Sequence, residues 1–284
     1  MKDRSLSIRA ALQLAPTIGV LLFVFVLPTA YFFVISFWRV RAFKLRPEFT
    51  FDQYRQVLAE FSDPLQFTLA LASVVAIVTV LIALGFAYFC RFQAGPAGPA
   101  FIFLVLVTLF GGYLTKIYMW KTILGSAGIL NTALMELGLI DSPITALLYS
   151  PVAVIITLVH YTLPLAILPI YGALRGVEDV PLEAARDLGA GRLRTFFDIV
   201  LPQIRSGIVA AFSLSFIFTA GDYVTPLMVG GPNASMIGVF IQNQFGNRLN
   251  SPLGSALSFV VIASCMVIVL AFATAMVSVT RSRR

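Results

Sequence analysis

Apolar residues in this chain come in long blocks, with the polar positions gathered between them. Six windows of about 20 predominantly apolar residues, the length a helix needs to cross a hydrocarbon core about 30 Å thick, can be drawn. They run approximately Leu14 to Phe37, Leu65 to Cys90, Pro99 to Trp120, Ala146 to Leu174, Ile204 to Val229 and Leu253 to Val279. The second is the most uniform and the fourth the most broken, by Pro151, Pro164 and Pro169. The pattern predicts an all-α integral membrane protein with six transmembrane helices, forming a single transmembrane domain over residues 1–284. The first apolar run is longer than the 7 to 15 residues of a cleaved signal core, so it is expected to stay as a retained first span.

The segments between blocks differ in character. "RFQAGPAG", Arg91 to Gly98, is a tight Gly/Pro turn. Trp38 to Pro64, Lys121 to Thr145 and Gly230 to Pro252 are longer. Within the second of these, Ile129, Leu130, Ala133, Leu134 and Leu137 recur at helical spacing, which predicts a short amphipathic helix on the membrane surface. The segment of about residues 175–203 between the fourth and fifth blocks is the most charged. Glu178 and Asp179 complement a helix N-terminus, Pro181 suits a first turn, and "PLEAARDL" runs into Gly189, the residue type found just past helix ends. A second short helix follows, with Leu193, Phe196, Phe197 and Val200 on one face and Arg192, Arg194 and Asp198 elsewhere, and Pro202 is expected to start the next span. The predicted unit is a helix, a sharp turn and a second helix.

Composition narrows the class. Mean hydropathy is +0.92, with 59% hydrophobic and 12% charged residues, against roughly a quarter charged in soluble domains. With an even number of spans both termini share a side. Twelve basic residues then fall on that side (Lys2, Arg4, Arg9, Arg91, Arg175, Arg186, Arg192, Arg194, Arg205, Arg281, Arg283 and Arg284) against eight on the other. This bias puts termini and charged segment in the cytoplasm, although "RVRAFKLR" after the first span weakens it. The net charge of +7 then serves membrane anchoring, and no basic patch with interleaved aromatics indicates a nucleic acid. Cys90 and Cys265 lie in or at the ends of spans, away from His and acidic neighbours, which argues against a disulfide framework or a metal site. No phosphate loop is present, so any ATP must be bound by another chain.

Few polar side chains fall inside the blocks. Asp222 is the one acid there, about 30 Å of helix beyond Pro202, in "GDYVTPLMVGGPN". Two readings stand: with Tyr223 it holds an amine cation, by ion pairing and by the aromatic face, or it caps a helix that breaks near Pro226 and Gly230. Tyr113, Lys116, Tyr118 and Trp120 at the end of the third block, and His160 and Tyr161 in the fourth, are further pathway candidates. Lys116 and Lys121 are expected to snorkel to the interface, and His160 to be a buried, hydrogen-bonded histidine. Pro164 and Pro169 are expected to bend the fourth span, and the aromatics of the first span to face lipid and partners. An intramembrane enzyme would need paired reactive groups, and no second carboxylate, H-E-x-x-H or G-x-S-x-G accompanies Asp222 and His160. A passive channel is a third class that composition permits.

Glu183, Ala184, Ala185, Gly189, Ile199, Leu201 and Pro202 meet in full the pattern E-A-A, three residues, G, nine residues, I-x-L-P. In this the chain resembles permease subunits of binding-protein-dependent ABC importers. The resemblance implies a type I importer permease fold in a bacterial inner membrane, with Glu183, Ala184, Ala185, Leu188, Gly189, Ile199, Leu201 and Pro202 forming a coupling hairpin that docks on a separate ATPase. It further implies two ATPase subunits carrying ATP and Mg, a second permease related to this one, and an extracytoplasmic solute-binding protein, with no cofactor in this chain. "GDYVTPLMVGGPNASMIGVFIQNQF", "NSPLGSALSFVVI" and "GILNTALMELGLI" are similar to the first permease of spermidine/putrescine importers, over roughly residues 65–280. Polyamine is thus the implied solute, carried past Asp222, Tyr223, Tyr113 and Tyr161. Permeases for ferric iron, thiosulfate and phosphonates share much of this frame and are the alternatives.

Overall fold

A computed structural model of the chain describes residues 14–41 and 44–281. Lys2, Arg4, Arg9, Arg283 and Arg284, which contribute to the charge bias, lie outside the described residues. Among the described residues five helices are long and apolar enough to cross a membrane: α1 (Leu14–Ile35), α3 (Ser62–Phe92), α7 (Pro151–Arg175), α9 (Arg192–Ala220) and α11 (Ser251–Arg281). Shorter elements lie between them. These are α2 (Asp52–Glu60), α4 (Gly98–Val107), α5 (Tyr113–Leu124), α6 (Ile129–Glu136), α8 (Asp179–Asp187) and α10 (Ile237–Gly246).

The third apolar block is not the continuous span that hydropathy predicts. The segments Gly95–Phe110 and Tyr113–Glu136, which contain α4 and α5, are bent by 96° at a break, and only if the pair counts as one span does the total reach six among the described residues. The cause is Gly111–Gly112, whose extended backbone (ψ 126° and 141°) ends one helix and starts the next. The fifth block also breaks earlier than expected, at Gly221 to Tyr223, before a single π turn over Pro226–Gly230.

Two further π turns have a common origin. Pro28 and Pro202 lack the N–H that would bond the carbonyl four residues back, and just before each the ladder shifts to a five-residue step: Leu27 N–H to Leu22 O, and Leu201 N–H to Phe196 O. Pro202 therefore sits inside α9 rather than starting it, and the predicted second short helix is the first turns of that span.

The described residues divide into two compact units. In the first, which includes residues up to Ser62 and Phe240–Val260, β1 (Arg39–Arg41) and β2 (Lys44–Arg46) pair antiparallel, registered Val40 to Leu45. Phe37 stacks on Phe49 at 4.8 Å and meets Phe33, Phe51 and Tyr54 edge-on or tilted. Ser36 Oγ and Tyr54 Oη share a 2.8 Å hydrogen bond beneath them. The first-span aromatics thus split: Phe23 and Phe25 are over two-thirds exposed, whereas Phe33 and Phe37 pack within the chain.

In the second unit α7 and α9 form the central pair. At Gly207 of α9 an added Cβ would stand 2.6 Å from the Pro169 carbonyl oxygen and 2.7 Å from Ala173 Cβ, so glycine is what lets the two backbones approach. Phe212 of α9 stacks on Phe272 of α11 at 3.8 Å, and Thr79 of α3 meets Thr162 of α7 at 3.1 Å in the buried interior. A core of Leu71, Val75, Ile117, Leu124, Val154 and Leu158 joins α3, α5 and α7. The surface helix α6 is present, but its apolar stripe is split. Ile129 and Leu137 are exposed, while Asn131 is buried and clasps the chain, donating to Gly125 O at 2.9 Å and accepting from Ile144 N–H at 2.8 Å.

Candidate functional site

Two regions concentrate the residues that the sequence singles out. The first is the charged hairpin. α8 starts at Asp179, with Glu178 extended at its N-cap, and stops at Asp187. Gly189 follows with φ +80°, its N–H bonded to Arg186 O at 2.9 Å and the Ala190 N–H to Ala185 O at 2.9 Å, the paired bonds of a Schellman cap. Arg91 at the end of α3 holds the mount: its guanidinium donates to Asp179 Oδ1 at 2.9 Å and reaches the Val177 carbonyl at 3.4 Å.

Leu182 points inward and is buried. Glu183, Ala184 and Gly189 face outward, Ala185 is half-buried, and Leu188 is 88% exposed. Val180 and Leu193 are also more than 70% exposed, so the hairpin presents three large apolar side chains that the described residues leave uncovered. The second half of the motif lies deeper, in α9, with Leu201 buried and Ile199 and Pro202 half-buried. Phe196 packs edge-on against Tyr88 of α3 at 5.8 Å, and an open groove of about 1040 Å³ runs beside this contact, lined by Tyr88, Phe92, Arg186 and Arg192 among others. The hairpin segment thus contacts the end of α3 at two points, through Arg91–Asp179 and through Tyr88–Phe196.

The second region is inside the membrane block. Tyr113 of α5, Tyr161 of α7 and Phe218 of α9 form a three-ring cluster, with centroids 4.6 Å apart for Tyr113–Tyr161 and Tyr161–Phe218 and 6.0 Å for Tyr113–Phe218. Tyr113 Oη is fixed by a 2.6 Å hydrogen bond with Thr225 Oγ1. Asp222 is buried at the break after α9, and its two carboxylate oxygens accept the N–H groups of Val224 (3.0 Å) and Thr225 (3.3 Å). It caps the short turn that follows, while Tyr223 is 42% exposed and joins none of the rings of the cluster. Trp120 donates its indole N–H to His160 Nδ1 at 3.0 Å, so His160 is a half-buried acceptor; no group of metal-binding side chains occurs among the described residues.

Lys116 departs from expectation. It does not snorkel: the residue is 4% exposed, its Nζ has no hydrogen-bond partner, and it stands 5.2 Å from the centroid of the Tyr161 ring. A cation at the helix centre costs about 2.5–3.5 kcal/mol on insertion scales, so this placement calls for a reason. The structure thus brings Tyr113, Tyr161 and Lys116 together with Phe218 and places Asp222 close by, and leaves Tyr223 and Tyr118 outside. Phe218 and Thr225 were missed, although Tyr113, Lys116 and Trp120 are spaced to share one face of α5.

The family of binding-protein-dependent transport system inner membrane components matches residues 92–283. The chain belongs to that family. The permease is 35% identical over 215 residues to the spermidine/putrescine transport system permease protein PotB of Escherichia coli K12, covering 74% of this chain and 76% of that one. It is 36% identical to PotB of Haemophilus influenzae, over 67% of this chain and 66% of the relative. The putative 2-aminoethylphosphonate transport system permease PhnU of Salmonella paratyphi A is 29% identical, with 83% of each chain covered. The fold matches a chain of a bacterial ABC transporter involved in the import of the acidic polysaccharide alginate, with TM-score 0.73, 18% identity and 98% of both chains covered. The permease accordingly has the helical, multi-span type I importer fold and is a membrane subunit of transport rather than an enzyme.

Proposed function

We propose that this permease forms part of the solute pathway of an ATP-driven importer of polyamines, putrescine or spermidine, in the bacterial inner membrane. The observation that carries the reading is its 35–37% identity to spermidine/putrescine permeases across two thirds or more of the chain. The membrane cluster fits the same solute class. Three electron-rich ring faces suit an ammonium group, and the Asp222 carboxylate lends negative potential nearby.

On this reading both termini and α8 are cytoplasmic, and the single transmembrane domain pairs with a second, related permease. An extracytoplasmic binding protein delivers the solute. ATP and Mg reside on two separate ATPase subunits, whose grooves receive Glu183 to Gly189. Closure of the ATPases moves α8, and the motion passes through Ile199, Leu201 and Pro202 into α9, at whose far end Asp222 and the ring cluster line the path. The Arg91–Asp179 pair and the Phe196–Tyr88 contact support this route, since they tie the hairpin to α3 as well as to α9.

The test is ATP hydrolysis by the whole assembly, titrated with polyamines, ferric complexes, thiosulfate and phosphonates, each in the presence of the binding protein. Stimulation by putrescine or spermidine is expected. Inert polyamines beside a stimulating oxyanion would reject the solute class, and hydrolysis by this chain alone would reject its role.

A further inference from the structure

We infer that Lys116 is a tethered stand-in for the solute: in the resting chain its ammonium occupies the face of Tyr161 onto which an organic amine binds during transport. The inference deepens the polyamine reading and rests on it.

Three observations meet at this residue. Lys116 Nζ is buried with no acceptor for any of its three donors, an arrangement that ordinary lysines avoid. Its ammonium stands over the Tyr161 ring, 5.2 Å from the centroid and within the distance at which a ring face attracts a cation, and its charge also reaches His160. The ring is also held in place independently of the lysine, against Tyr113 and Phe218 at 4.6 Å, with Tyr113 itself pinned to Thr225. A preset ring face of this kind selects an ammonium on an alkyl stem and is indifferent to what the stem is attached to.

The stem is the chemical argument for the solute. A lysine side chain is four methylenes ending in an ammonium, and putrescine is four methylenes with an ammonium at each end, so Lys116 presents to the ring what one end of the solute would present. Depth agrees with a pathway site. Tyr161 lies ten residues after Pro151 and fourteen before Arg175, about 15 Å and about 21 Å of helix from the two ends of α7. Lys116 sits one turn beyond the Gly111–Gly112 break, where a β-carbon on Gly111 would stand 3.7 Å from its Cε. Rotation of α5 at that break carries the ammonium off the ring and opens the face to an incoming amine. Until then the site is filled, and stray amines or inorganic cations find no vacant cation site at mid-membrane.

The experiment uses the whole assembly, trapped by nucleotide in its solute-accepting state and freed of binding protein, and measures binding of labelled putrescine directly. Lys116→Met removes the resident cation while keeping an unbranched apolar stem, and putrescine should bind about 2- to 30-fold more tightly, the range that corresponds to one cation–π contact. Lys116→Arg keeps a cation on the ring and should bind within about twofold of wild type, and the gain from Lys116→Met should vanish in a Tyr161→Leu background. Should Lys116→Met fail to assemble, Lys116→Gln carries the same expectation. Unchanged or weaker putrescine binding by the neutral variant overturns the inference, and a loss accompanied by binding of 2-aminoethylphosphonate to wild type would instead make Lys116 a ligand for an anion. The two readings separate cleanly: a wild-type assembly that takes up no polyamine sinks the solute class, whereas one that takes up putrescine but whose Lys116→Met form binds it no better sinks the stand-in alone.

Discussion

Replacing Gly189 isolates the turn from everything around it. Its φ of +80° is open to glycine, while an added Cβ would meet nothing within 4 Å, so substitution strains the backbone without a clash. The left-handed conformation costs an ordinary L-residue about 1–2 kcal/mol, equivalent to roughly a 5- to 30-fold fall in the population of the correct turn. Asn tolerates that conformation best among the alternatives, and a β-branched Val tolerates it worst. Because the hairpin is exposed, melting of the purified chain should move by only a few degrees. ATP-dependent uptake by the reconstituted assembly should fall in the order Gly189→Asn, Gly189→Ala, Gly189→Val, with the last at least about tenfold down. A Val variant that transports like wild type, or an Asn variant as poor as Val, would refute the reasoning that the turn geometry carries the coupling.

Other substitutions probe other joints. Gly207→Leu forces α7 and α9 apart at a point where even a Cβ stands 2.6 Å from the Pro169 carbonyl; a loss of about 1–3 kcal/mol or more should appear as lower yield and earlier thermal unfolding, with Gly207→Ala milder in the same direction. Asp222→Ala removes the two carboxylate oxygens that accept the Val224 and Thr225 N–H groups and should cost about 1 kcal/mol of local stability, seen as faster hydrogen exchange over Val224 to Gly230. Asp222→Asn retains an acceptor and drops the charge, so preserved uptake in Asn with loss in Ala assigns Asp222 to capping, and loss in both assigns it to the solute. Arg91→Gln severs a partly exposed pair worth at most about 1 kcal/mol after solvent screening, yet it should lower uptake per ATP hydrolysed, because the hairpin then keeps only the Phe196–Tyr88 contact with α3.

The spans and the hairpin were legible because their signals are local. Long apolar blocks reported α1, α3, α7, α9 and α11, and Glu178, Pro181 and Gly189 marked the beginning and end of α8 through charge, missing N–H and permissive φ. The break at Gly111–Gly112 was not legible, since two glycines barely alter hydropathy and so left the third block looking continuous. That break also explains the misreading of Lys116. Snorkelling presumes a straight helix ending at the interface, whereas the 96° bend turns α5 inward against α7. Phe218 was invisible for a different reason: a phenylalanine in an apolar span has no contrast with its neighbours, and only the packing of α9 on α7 distinguishes it. In "RVRAFKLR" the basic residues drew attention to charge, while the alternation of Val40 and Leu45 with arginine and lysine is too short to announce paired strands.

The most direct test of the account is uptake of labelled putrescine and spermidine into proteoliposomes containing this permease, its partner permease, the ATPase and the binding protein. Accumulation should require ATP and every subunit, and should be lost with Gly189→Val while the assembly stays intact. Accumulation of an oxyanion with none of either polyamine, or polyamine entry that persists without the ATPase, would contradict it.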